Sequence, residues 1–134
     1  MSAPDFELAV IAWLTSALPG VTVTNGLDVD AATRVPLVVV TDPGGTIPTN
    51  GPADVSIATS TMTINALAGS VEAARDLADR IHDILTGPAP AVVANHHIGR
   101  VRPVMLPTRV PVSTVAAQDL HQVTQTVAVT ATRL

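Results

Sequence analysis

The stretch "PLVVVTDPGGTIPTNGPADVSIATSTMTINA" (Pro36–Ala66) decides between two fold classes. Its first part, "PLVVVTD" (Pro36–Asp42), is a continuous apolar strand suited to a sheet interior. A helix opening behind "DPGG" (Asp42–Gly45) would make this the strand–loop–helix start of a phosphate-binding α/β domain. The glycines fit neither G-x-x-x-x-G-K-[ST] nor G-x-G-x-x-G, and no lysine comes after them. The chain continues instead with "TIPTNGPAD", another turn-forming run. Pro43-Gly44 and Asn50-Gly51 are turn dipeptides whose backbone preferences suit a connection between strands. The stretch therefore reads as strand, long loop, strand.

The second strand carries an irregularity. Val55 and Ile57 share one parity, while Met62 and Ile64 share the other, so the phase slips by one near Thr59–Thr61. That pattern predicts a bulge or strong bend. Upstream, "VTVTN" (Val21–Asn25) is a short strand, and "GLDVDAATRV" has no period and reads as loop. Residues 2–18 read as a helix, with Ser2 as N-cap, Pro4 in the first turn and "LPG" (Leu18–Gly20) as the stop. Its run "LAVIAWL" (Leu8–Leu14) is apolar all the way round, which calls for cover on two sides, by a neighbouring subunit or as a central core helix.

Downstream, "SVEAARDLADRIHDILTGP" (Ser70–Pro88) shows the clearest period in the chain. Val71, Ala74, Leu77, Ala78, Ile81, Ile84 and Leu85 recur at three and four, a single apolar stripe for a helix lying on a sheet. Ser70 caps its start and Gly87-Pro88 ends it. "PAPAVV" (Pro88–Val93) is linker-like and "HIGRVRPVML" (His97–Leu106) an imperfect strand. "PTRVPVSTVAAQD" (Pro107–Asp119), with two prolines, reads as a loop or arm. In "HQVTQTVAVTATRL" (His121–Leu134) valines and threonines alternate as in a half-buried strand. The expected fold is α+β: one domain over residues 1–134, with two helices on a mostly antiparallel sheet of about five strands in the order α-β-β-β-α-β-β. Extended loops are expected near residues 43–53 and 107–119.

Composition narrows the function. Charged residues are 13% of the 134-residue chain, against about a quarter in ordinary soluble domains, and mean hydropathy is +0.42. No apolar run approaches the roughly 20 residues of a membrane span, and the flank of Leu8–Leu14 is wrong for a secretory signal. A chain this poor in charge is expected to hide surface against other subunits. Net charge is −4, every basic residue is arginine, and Phe6 and Trp13 are the only aromatics. Sequence-specific nucleic-acid reading needs a basic patch and stacking rings, so it is not expected.

No constellation supports chemistry. His96 and His97 are adjacent and point to opposite faces in a strand; together with His82 and His121 they read as surface or interface histidines, and no metal or other cofactor is expected. Asp28, Asp30 and Asp42 are turn acids without the ligand set of a calcium loop. There is no cysteine and no G-x-S-x-G elbow. An enzyme is not expected.

The order of parts resembles a known family. An N-terminal "DFELAVIAWL" helix runs into "LPGVTV", then "PLVVVTDPGG", a Thr-rich strand, the "AARDLADRI" helix, "IGRVRPVMLP" and a closing alternating strand ending in Arg. This order, over nearly the whole chain, is similar to that of the tail terminator proteins of long-tailed bacteriophages, especially those infecting actinobacteria. The resemblance implies a structural virion protein at the neck, assembled in the host cytoplasm. It would form a hexameric ring on the head-proximal end of the tail tube, halting tube polymerisation and docking to the head connector. Genomic DNA would pass through the lumen without specific binding. The last strand lacks the aromatics that relatives often carry, and "RPVMLPTRVP" only approximates their Gly-Pro…Leu-Pro turn. Another neck, tail-completion or tail tube role is the alternative, and a small ligand-binding domain ranks below it. The subunit and partner contacts are expected from the apolar helix and the two loops: Phe6, Ile11, Trp13, Pro43, Gly44, Gly45, Ile47, Pro48, Leu106, Pro107, Arg109, Val110 and Pro111. Trp13 and the 107–119 loop are expected to become buried only on assembly.

Overall fold

The computed structural model describes residues 4–26, 35–42, 47–48, 57–110 and 120–134. Along the chain come α1 (Phe6–Ala17), β1 (Thr22–Thr24), β2 (Leu37–Thr41), β3 (Ile47–Pro48), β4 (Ile57–Ala68), α2 (Val71–Thr86), β5 (His96–Val110) and β6 (His121–Arg133). Setting aside the two-residue β3, this is the α-β-β-β-α-β-β order expected. The sheet runs β1-β2-β4-β6-β5. Only β1 and β2 pair in parallel; the other pairings are antiparallel. β6 holds one edge of β4 from Ile57 to Ala68, so β2 and β3 share the other.

Both helices cover one face. α2 lies over β4, β6 and β5, while α1 lies over β1 and β2 and touches α2. Beneath them, alternate residues meet in one core: Val38 and Val40 of β2, Met62, Ile64 and Ala66 of β4, and Val123, Val127 and Val129 of β6. The period-two geometry of strands selects these residues. A smaller cluster of Leu37, Val39, Leu67 and Leu120 sits on the opposite face.

α2 buries Ala74, Leu77, Ala78, Ile81 and Leu85, with Val71 and Ile84 at the margins of the stripe. Ser70 Oγ accepts from the Ala73 N–H at 3.1 Å and caps the helix as expected. α1 starts later than its sequence pattern implies. Its N-cap is Asp5, whose carboxylate accepts from the Leu8 N–H at 3.0 Å. Its apolar girdle is covered from one side within the chain: Phe6, Ala9, Val10, Trp13 and Leu14 are buried and Leu8 is exposed.

The bulge expected at Thr59–Thr61 is absent, because β4 pairs with β6 in unbroken register from Ile57 to Ala68. Ala58 and Ser60 continue the inward parity of Met62 and Ile64, while Ile57 lies on the other face. Two small residues occupy inward positions that sequence pattern assigns to neither face. Ser60 is accommodated by donating from Oγ to Asp42 Oδ1 at 2.7 Å.

The irregularities are in β5 instead, with register shifts between Ile98 and Arg100, Pro103 and Met105, and Met105 and Thr108. β5 also corrects the expected arm. It continues through Pro107, Thr108, Arg109 and Val110, the last three paired with Thr124, Val123 and Gln122. Prolines fit because β5 is an edge strand, where an N–H facing away from the partner has nothing to bond. The remainder of the expected arm (111–119), most of the 43–53 loop and the loop at 27–34 lie outside the described residues. Before β5 the chain reverses through Ala94 and Asn95, at φ 49° and 61°. Val93 and His96 exchange two backbone hydrogen bonds of 2.9 Å around them. Two positive φ values in a two-residue loop are the primed geometry that matches strand twist.

Candidate functional site

β5 is the strand that presents itself. Among the described residues it pairs with β6 alone, so one row of its main-chain groups faces outward. In mid-strand, Val104, Met105 and Leu106 are 54%, 39% and 64% exposed. Three consecutive large apolar side chains stand outward where two register shifts bracket Met105, the kind of irregularity that breaks the strict alternation of faces. Arg102 and Arg109 flank them and Arg100 precedes them, all exposed, and no carboxylate occurs from His96 to Val110.

The expected interface residues are divided by this arrangement. Leu106, Pro107, Arg109 and Val110 share β5, with Leu106 and Arg109 exposed and the other two half-buried. Ile47 and Pro48 form β3 and pair with Thr59 and Ala58, separated from β5 by β4 and β6. Phe6 and Trp13 are corrected: both are buried within the single chain, at 2% and 4% exposure, so Trp13 needs no neighbour to cover it. An aromatic on a helix apolar all round has two candidate burial sites, and the sheet takes it. Ile11 is half-buried against the same core. Pro43, Gly44, Gly45 and Pro111 lie outside the described residues. Val104 and Met105 escape the sequence reading. Their signal is present in "RPVML", an apolar run next to a proline, which only an edge strand accommodates.

The sheet face opposite the helices is hydroxyl-rich. Thr59, Thr61, Thr63 and Asn65 of β4 stand across from Thr130, Ala128, Thr126 and Thr124 of β6. Thr59 and Thr130 join their hydroxyls at 2.7 Å, and Asn65 Oδ1 accepts from Thr124 Oγ1 and Gln122 Nε2. These bonds knit the two strands together. Arg100 and Arg102 extend from β5 beside this face and, with Thr59, Ala128 and Thr130, line a shallow cleft of about 190 Å³. A larger groove of about 450 Å³ runs between the end of α2 and the start of β5, lined by Trp13, Leu85 and Ile98 together with His97 and Arg100.

The histidines separate as strand geometry requires, but His96 is not at the surface. It is 1% exposed, its Nδ1 lies 2.6 Å from the Ala94 carbonyl oxygen, and its Nε2 accepts from the Asp5 N–H at 2.9 Å. The carbonyl only accepts, so Nδ1 carries the proton and both ring nitrogens are committed to structure. His97 is exposed, with Nδ1 3.2 Å from the Ala91 carbonyl oxygen. Among the described residues no three His, Cys, Asp or Glu side chains converge as a metal site would need. No helix there is long and apolar enough to cross a membrane.

The chain matches no protein-family model and no curated protein.

Proposed function

We propose that this chain is a ring-forming structural protein of a phage neck, placed at the head-proximal end of the tail tube, where it ends tube growth and joins the tail to the head connector. The carrying observation is the edge strand β5, with Val104, Met105 and Leu106 outward. Apolar side chains in such a row favour burial against another protein surface. Pro103 and Pro107 sit in the same strand. They interrupt the outer row of donors, which disfavours open-ended sheet addition and favours a closed contact. The resemblance in element order supplies the virion context.

The test is termination. Tail tube subunits from the same phage are polymerised with and without the purified chain, and tube lengths are measured by electron microscopy. Shortened, capped tubes carrying a ring at one end are the expected result. A length distribution unchanged at any excess of the chain overturns the proposal.

A small-ligand reading has one observation in its favour: the groove at Trp13 falls in the volume range of ligand sites. A thermal-shift screen with small acids and aromatics that raises the melting temperature, and loses the effect in Arg100→Ala, would favour it.

A further inference from the structure

We infer that the β5 edge of one copy docks on the helical layer of the next copy, in a head-to-tail contact centred on Val104–Leu106 of one chain and Leu8 of its neighbour. The inference rests on the ring reading above and names the interface that the ring would use.

Charge within the chain is sharply divided. β5 and β6 carry Arg100, Arg102, Arg109 and Arg133 and no carboxylate. α1 and α2 with their caps carry Asp5, Glu7, Glu72, Asp76, Asp79 and Asp83 against Arg75 and Arg80. The acids of α2 are all exposed and recur at four, three and four, so they line one side of that helix. The helical layer is thus net negative and the β5–β6 hairpin net positive in a chain that has few charges.

Apolar exposure is divided in the same way. Leu8, 49% exposed, is the one large apolar side chain that the two helices leave outward among the described residues. It stands in the first turn of α1 beside Glu7 and the Asp5 cap. Each patch therefore combines apolar exposure with a net charge, and the net signs are opposite.

One chain cannot bring its own Val104–Leu106 row onto its own Leu8. The Asp5 N–H is bonded to His96 at the start of β5, which places the start of α1 at that end of the strand. Leu106 is ten positions further along, about 30 Å at the rise of a strand. Complementary patches held apart on one body bring copies together heterologously, and such contacts close into rings when the rotation between copies allows it. Burial of Leu8, Val104, Met105 and Leu106 would supply the apolar drive, and the charge pairs would select the partner face.

The absence of native cysteine makes the contact directly testable in the full chain. Met105→Cys and Leu8→Cys chains are mixed under mild oxidation and resolved on non-reducing gels, beside each variant alone. Disulfide dimers in the mixture, with at least tenfold less in either variant alone, are the expected result. Dimers from Met105→Cys alone at equal yield mean a symmetric edge-to-edge contact and overturn the inference. A charge swap provides the independent check. Arg102→Glu/Arg109→Glu and Glu7→Arg/Asp79→Arg should each lower assembly in native mass spectrometry at least tenfold, and an equimolar mixture should restore it. Intact rings in every variant overturn this interface and leave the ring reading standing. A monomer at all concentrations, with no disulfide in the mixture, overturns the interface, and the tube-termination assay then decides the ring reading separately.

Discussion

The imidazole of His96 accepts a hydrogen bond from the backbone N–H of Asp5 at 2.9 Å, joining residues 91 positions apart. Asp5 is also the N-cap of α1, so a strand side chain and a carboxylate divide the work of starting that helix. His96→Leu keeps the bulk but leaves a helix-start donor without its partner, at a cost of about 1–3 kcal/mol. Urea denaturation should show this loss, and hydrogen exchange should localise it to the first turn of α1. His97→Ala, on the exposed face of the same strand, should stay within about 0.5 kcal/mol.

Ala94 holds φ at 49°, a conformation that an L side chain adopts at a cost of about 1–2 kcal/mol. Asparagine tolerates it far better, and the primed hairpin turn favours asparagine at this position. Ala94→Asn should therefore stabilise the chain by about 0.5–1 kcal/mol. The readout is a raised denaturant midpoint with unchanged slope.

Gln125 is fully buried on the helix side of β6. Its Nε2 donates to the Ala78 carbonyl of α2 at 3.0 Å, while its Oε1 has no partner among the described residues. That orphan acceptor offsets the gain from the bond. Gln125→Met, close in volume, should change stability by less than about 1.5 kcal/mol. Gln125→Glu adds the cost of burying or protonating a carboxylate and should be strongly destabilising above neutral pH. Chemical denaturation of both variants checks the contrast.

The glycine pair after β2 looks most like chemistry, and Asp42 just before it has a structural bond in its place. Its carboxylate accepts from Ser60 Oγ at 2.7 Å, which ties the end of β2 to β4. Ser60→Ala and Asp42→Ala should show a coupling of about 1–2 kcal/mol in a double-mutant cycle. Additive losses would mean that the bond contributes nothing.

Much of this fold is legible from periodicity. α2 declares itself because Ala74, Leu77, Ala78, Ile81 and Leu85 all serve one surface, and β6 because its valines alternate. β4 misleads because Ala58 and Ser60 are too small or too polar to mark an inward position, although both are buried. β5 looks shorter than it is because proline reads as a strand breaker, and whether a strand lies at an edge is a property of the assembled sheet. His96 looks like a surface residue for a related reason: only the tertiary fold brings the Asp5 N–H to it. The candidate site obeys the same logic. Leu106 and Arg109 are picked out by their proline-bearing context and are exposed on β5, while Trp13 is buried in the chain's own core because an all-apolar helix does not say which side is covered.

The exposed row on β5 separates assembly from folding. Leu14 is fully buried on the inner face of α1, and Leu14→Ala should cost about 2–5 kcal/mol through the lost contacts and the cavity left behind. Leu106, 64% exposed, has few such contacts to lose in the isolated chain. Leu106→Ser and Val104→Ser should each stay within about 0.5 kcal/mol in denaturation. If β5 is an assembly surface, the same two variants should shift sedimentation toward monomer, because apolar area left in water no longer drives association. Unchanged sedimentation alongside unchanged stability would mean that the row is idle surface, and assembly would then have to use another face.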